Sequence, residues 1–324
     1  MMSPTPLPAH FLRISKAGSG GSGGVYFCVP ISHFQSLEDS SALTPSSPDF
    51  ARLKHSIVAV KVSGNHWWIE NEHSALQAVR QCISPNAEAL RMLFPDVKST
   101  GFFTPMRHVL RHAYLELEAV IPSVTLGDLV SFYGDPKNNT PTILITLVYH
   151  FFLSLGAAVP FLRDELGWAQ DDIKPDNILV RMYQGAPLAL PQFVLIDFGN
   201  AKRIAENPND VSSDCIDVLG LVRMMVRTAE WKTGKGWAAF KDMLFAERAK
   251  IREINEDRKQ ADREFRGLWE KWAKVARRGR RKVTAVDVEC IREVFEKVAE
   301  EKGKLRDEDL IRAVRWYGKT GDGI

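Results

Sequence analysis

Cysteine is scarce and scattered in this chain. Cys28, Cys82, Cys215 and Cys290 lie far apart and form no C-x-x-C pair, so neither a disulfide framework nor a structural zinc site is expected. None of the eight histidines falls into H-E-x-x-H or a comparable metal spacing. No sign of charge dominates either. The 43 Lys and Arg against 40 Asp and Glu leave a formal net charge of +3, which does not argue for nucleic acid binding. The N-terminal MMSPTPLPAHFLRIS has no charged stretch leading into an apolar run, so no signal peptide is expected. The Asn138-Asn139-Thr140 sequon then carries no weight, and no lipidation signal stands at either end.

Apolar residues are plentiful, at 45% of 324. That is enough for one large two-lobed domain or two ordinary ones. Residues 142–162, TILITLVYHFFLSLGAAVPFL, are almost as apolar as a membrane span. His150, Ser154 and Pro160 interrupt the run, and a buried core helix with no transmembrane segment is the expectation.

Pattern divides the chain in two. Residues 1–10 are Pro-rich and read as a flexible terminus. Residues 11–30 read as strand, turn, strand around glycines. Residues 34–54 are Ser-, Asp- and Pro-rich and read as an inserted surface loop. The β-branched SIVAVKV at 56–62 is a strand, and 71–93 carry helical periodicity broken at Pro85. Residues 113–120 form a further strand. From about Thr125 the chain turns helical, with strand-like runs returning at 178–181 and 193–196. This order, β-rich then helical, is α+β and not a βαβ repeat. Residues 240–282 carry amphipathic helices that end in Arg277, Arg278, Arg280, Arg281 and Lys282. That basic run is either a solvated helix end or a patch for nuclear import or an anionic partner.

Four short segments carry chemistry. Gly18, Gly20, Gly23 and Val25 satisfy G-x-G-x-x-G-x-V, in which glycines let backbone N–H groups approach phosphates. The motif runs on as a strand, whereas a dinucleotide fingerprint opens a helix. Lys61 ends the apolar Val58-Ala59-Val60, an unusual place for an ammonium unless it pairs with phosphate and carboxylate. Glu72, near the start of the following helix, is the expected partner, with Glu70 the alternative. In Asp172-Ile173-Lys174-Pro175-Asp176-Asn177, Asp172 can orient a hydroxyl nucleophile, Lys174 can approach a transferred phosphate and Asn177 can hold a metal. Asp197-Phe198-Gly199 then places a carboxylate at a strand end beside a glycine, suited to Mg²⁺.

In this order the motifs resemble the eukaryotic protein kinase family over roughly residues 11–300: GSGGSGGV, VAVK, DIKPDN and DFG. The resemblance implies a two-lobed kinase-like fold: a small β-rich N-lobe (about 11–118, with an insertion at about 34–54), a larger helical C-lobe (about 121–315) and a tail at 316–324. It implies ATP and Mg²⁺ as cofactors, with Asp172 and Lys174 catalytic and Asn177 and Asp197 on the metal. Gly18, Gly20, Gly23, Val25, Ala59, Lys61 and Glu72 would bind nucleotide. Leu117, Glu118 and Val120 would line the adenine site, with Leu117 as gatekeeper. Asp217 would open the central helix and brace the catalytic loop backbone.

Three departures accompany the likeness. The usual H-R-D reads Gln170-Asp171-Asp172, and an acidic Asp171 would repel an activating phosphate. The stretch from Asp197 to Asp217 is short and has no A-P-E-like triplet. The gap from Val25 to Lys61 is long, and loop entropy tolerates it. The expected function is ATP- and Mg²⁺-dependent transfer to protein Ser/Thr hydroxyls. The alternatives are a pseudokinase binding module and a small-molecule kinase of the same fold. Localisation is expected in the cytoplasm or nucleus; neither the protein substrate nor any regulatory partner is identified.

Overall fold

A computed structural model describes residues 6–21, 23–34, 43–104, 111–138, 143–183, 189–206, 214–228, 237–242 and 258–320. The chain is a mixed α+β protein, with a sheet-rich N-terminal region and a helix-rich C-terminal region. It divides into two compact units. The first comprises Met1–Arg80, Pro95–Ser123 and Gly303–Ile324; the second comprises Gln81–Phe94 and Val124–Lys302.

The first unit is built on a five-stranded antiparallel sheet. Its strands are β1 (Phe11–Gly20), β2 (Gly23–Pro30), β3 (Val58–Ser63), β4 (Val97–Phe103) and β5 (His112–Glu118), in the order β1-β2-β3-β5-β4. Strand β4 was not anticipated: its Lys98, Ser99 and Thr100 dilute the apolar alternation that marks a strand. Because successive side chains alternate between faces, the sheet has two cores. Phe11, Tyr26, Cys28, Val58, Val60 and Val62 cluster on one, with Leu7. Leu12, Phe27 and Val29 lie on the other. Burial pushes the Cys28 thiol well up, so it packs as a small apolar group.

Two helices complete that second core. Helix α1 (Pro48–His55) occupies the end of the expected loop: Ser47 caps it by accepting the Phe50 N–H at 3.2 Å, and Pro48 sits at its first turn. Its Phe50 and Leu53 are buried in the core, so this part of the insertion is structural. Residues 35–42 lie outside the described residues. The last helix of the chain, Asp307–Thr320, also packs here through Leu310 and Val314. The sequence expectation had put residues 307–315 in the second region and 316–324 in a tail. Helix α2 (His66–Gln81) buries Ile69, Glu72, Ala75, Leu76 and Val79.

The second unit begins with α3 (Ala87–Arg91) and resumes with β6 (Val124–Thr125), α4 (Leu126–Gly134) and α5 (Ile145–Pro160). Thr125 and Asp128 form a reciprocal capping box on α4. Next come β7 (Trp168–Ala169), β8 (Ile178–Arg181), β9 (Gln192–Leu195), β10 (Lys202–Arg203) and α6 (Asp214–Thr228), then α7 (Arg258–Arg280) and α8 (Ala285–Lys302), which leaves 307–320 as α9. Strands β6, β8 and β9 form one small antiparallel sheet, and β7 pairs with β10 in another. The span from Ile145 to Glu165 is long and apolar enough to cross a membrane by length and composition. Two-thirds of its most apolar window is buried, and α6 and α7 cover it. A side chain at Gly156 would overlap the Trp269 indole of α7, so glycine sets that close approach.

Candidate active site

Each unit brings together one group of the expected residues. In the first, Lys61 Nζ meets Glu72 Oε2 at 2.5 Å, with side chains only 4% and 1% exposed. Register explains the placement of their neighbours. Val25 lies opposite Lys61 across β2–β3, and Leu117 lies opposite Ala59 across β3–β5. Directly opposed residues share a face, and Ala59 and Lys61 are two apart, so Val25, Ala59, Lys61 and Leu117 line one side of the sheet. Helix α2 begins at His66, so Glu72 sits in its second turn and not near its start as expected. At that depth the N-terminal dipole contributes little, and the ammonium is what balances the buried carboxylate.

The glycine hairpin divides by position. A Cβ at Gly18 or Gly20 would meet nothing within 4 Å, whereas Gly23 has φ +131° and a Cβ there would fall 2.1 Å from the Val62 carbonyl oxygen. Gly23 is therefore required by the fold. Gly18 and Gly20 leave open space above the backbone, the property a phosphate cradle needs. Ser22 lies outside the described residues. At the far end of β5, the Glu118 N–H donates to the Asp96 carbonyl at 2.7 Å, and Val120 is buried.

In the second unit, Asp172, Lys174 and Asn177 form one cluster. Lys174 Nζ donates to Asp172 Oδ2 at 2.6 Å, and Asn177 Nδ2 donates to the same oxygen at 3.0 Å and to the Asp172 carbonyl at 2.9 Å. With its amide nitrogen so engaged, Asn177 keeps its amide oxygen as an acceptor. Pro175 opens the short 3₁₀ turn that sets the spacing, and the Asn177 carbonyl accepts the Ile196 N–H at 2.9 Å. Asp197 follows β9 in left-handed backbone, φ 61° and ψ 69°, which costs a non-glycine residue about 1–3 kcal/mol. Phe198 behind it is fully buried, its ring 5.9 Å from that of Phe94.

Gln170 ties the two acidic segments together. Its side chain is fully buried. Its Oε1 accepts the Asp172 N–H at 2.7 Å, while its Nε2 donates to the carbonyls of Ile196 at 3.2 Å and Asp197 at 3.0 Å. The Gln170 side chain thus fastens the Asp172 loop to the segment that carries Asp197.

The backbone brace differs from the expectation. Asp214, not Asp217, accepts the N–H groups of Gln170 (2.9 Å) and Asp171 (3.0 Å). Burial pushes the Asp214 carboxyl up to about 6, against the lowering effect of those two N–H groups. Helical periodicity held the signal: Asp214 shares the buried stripe of Val218, Leu221, Val222 and Met225, and Asp217 does not. A second residue overlooked in the sequence is Lys202, which pairs with Asp171 at 2.8 Å. Only charge complementarity to Asp171 marked it.

The donor set for a cation is a carboxylate and an amide oxygen, hard ligands that suit Mg²⁺ shared with phosphate oxygens and water. Among the described residues no group of three or more His, Cys, Asp or Glu forms an all-protein cage. Asp197 and Asn177 are the residues that would hold Mg²⁺.

No protein-family profile matches the chain. Over 208 residues, 61% of this chain and 37% of the relative, it is 24% identical to the serine/threonine-protein kinase UL13 of human herpesvirus 2 (strain HG52). The chain therefore spans little more than a third of that relative's length. The likeness is distant, and it is to a phosphotransferase.

Proposed function

We propose that the protein is a two-lobed, kinase-like enzyme that transfers the terminal phosphoryl group of Mg²⁺-ATP to serine or threonine hydroxyls of a protein. The observation that carries this reading is the Asp172–Lys174–Asn177 cluster tied to Asp197 through Gln170. The distant likeness to a serine/threonine-protein kinase supports it. Asp172 accepts or orients the proton leaving the acceptor hydroxyl. Lys174, held 2.6 Å from that carboxylate, offers its ammonium to the phosphoryl oxygens. Asn177 and Asp197 would hold Mg²⁺, which when bound neutralises charge on the phosphates. Lys61, oriented by Glu72, pairs with the α- and β-phosphates, while Gly18 and Gly20 admit them close to backbone. The adenine is assigned to Val25, Ala59, Leu117, Glu118 and Val120.

Asp171 in place of arginine favours a second reading, a nucleotide-binding module without transfer. Incubating the protein with Mg²⁺ and γ-labelled ATP over protein, peptide and small-alcohol acceptors separates the two. Label on protein hydroxyls with wild type and not with a matched Asp172→Asn preparation supports the enzyme. Label only on small alcohols would move the substrate class. Equal background from both preparations would leave the binding module.

A further inference from the structure

We propose that Lys202 is a positioning residue for Asp172: its ion pair holds Asp171 in the strained backbone conformation that turns the chain from Gln170 into Asp172. Asp171 has φ 63°, outside the comfortable range of a non-glycine residue. Both of its neighbours are committed. Gln170 is locked by its buried side chain, and Asp172 carries the proposed chemistry. The rotation of Asp171 therefore acts, with the hydrogen bonds from Lys174 and Asn177, on where the Asp172 carboxylate points.

Asp214 and Lys202 both hold that rotation. The Asp171 N–H is taken by Asp214, and the Asp171 carboxylate is taken by Lys202 at 2.8 Å. The pair is only 12% and 25% exposed, so water and salt screen it less than a surface pair. Lys202 is itself held in place: β10 pairs with β7 through Lys202 opposite Ala169 and Arg203 opposite Trp168. The Ile204 N–H donates to the Gly167 carbonyl at 2.9 Å, and the Arg203 guanidinium lies 4.9 Å over the Trp168 ring. The segment leaving Asp197 is thereby fastened to the segment entering Asp172 by charges already within the chain, with no added phosphate. Lys174 pairs with Asp172 and Lys202 with Asp171.

This inference rests on the transferase reading for its kinetic readout only. Lys202→Met keeps most of the side-chain stem and removes the charge. It is expected to lower kcat about tenfold, the scale on which a left-handed residue loses population when untethered, with the KM for ATP within about twofold. The charge-reversed pair, Asp171→Lys with Lys202→Glu, is expected to recover most of the rate that Lys202→Glu alone loses. Phosphatase treatment should leave the wild-type rate unchanged. Ser212 and Ser213, which lie outside the described residues, are the hydroxyls nearest in sequence. Hydrogen exchange over residues 167–173, with the rest of the chain as a folding control, gives a readout free of activity. Faster exchange there in Lys202→Met, reversed by the charge swap, supports the tether even if wild type transfers no phosphate, in which case only the transferase reading fails. Wild-type exchange and rate in Lys202→Met, or a rate that needs phosphate on either serine, would overturn the proposal.

Discussion

The two units handle buried charge in opposite ways. In the first, one cation and one anion face each other directly, Lys61 against Glu72, with side chains only 4% and 1% exposed. In the second, three acids lie on short loops, Asp171, Asp172 and Asp197, and a fourth, Asp214, opens α6. They are balanced piecemeal by Lys174, Lys202 and backbone N–H groups. A closed pair is specified by two residues and fails all at once. A distributed set is specified by many and should fail in steps.

The largest stability effect should come from the closed pair. Lys61→Met leaves Glu72 buried without its counter-charge and should cost about 3–5 kcal/mol by chemical denaturation. Replacing both partners by apolar residues should recover much of that loss. If the double variant is no more stable than the single one, the pair is not the closed unit described here.

Next comes the brace of the second unit. The Asp214 carboxyl is raised to about 6 chiefly by burial, so the folded protein keeps a proton there that the unfolded chain releases near the ordinary carboxylate value of 3.8. Stability from this group is therefore fully present below about pH 4 and is lost as pH rises through about 6. Wild-type stability relative to Asp214→Asn should fall by on the order of 3 kcal/mol between pH 4 and pH 7. A difference that is flat or rises with pH would place the proton elsewhere.

The contrast also decides how much was legible in the sequence. A lysine ending VAVK and a glutamate eleven residues on can be read from strand and helix periodicity, because one contact defines the pair. That Asp172, Lys174 and Asn177 meet was legible for a similar reason: DIKPDN packs those side chains into a few consecutive residues. Asp214 and Lys202 act on the same loop from 43 and 31 residues away, through contacts that no local pattern announces. The same limit applies to the fold. Strand β3 declares itself by a β-branched run and β2 by the glycine turn before it, whereas β4 and the packing of α9 depend on tertiary partners. Helix α1 was hidden by the Ser- and Pro-rich stretch that supplies its cap.

Smaller effects sharpen the comparison at the glycine hairpin. Gly23→Ala should cost about 2 kcal/mol, because φ +131° and the Val62 carbonyl both oppose a Cβ. Gly20→Ala should change stability by no more than about 0.5 kcal/mol, since nothing lies within 4 Å of its Cβ. Its effect should appear instead as weaker nucleotide binding in a titration. Equal stability losses at the two positions would mean that both glycines serve the fold alone.

The central claim is that Asp172 performs the transfer chemistry while Asp197 holds the metal. It is tested most directly by measuring Mg²⁺-ATP affinity and phosphoryl transfer together on wild type, Asp172→Asn and Asp197→Asn. Asp172→Asn should lower transfer by about 10²–10⁴ with nucleotide affinity retained. Asp197→Asn should lose Mg²⁺-dependent affinity as well as transfer. Wild type that binds Mg²⁺-ATP yet transfers no faster than Asp172→Asn to any acceptor would contradict the account.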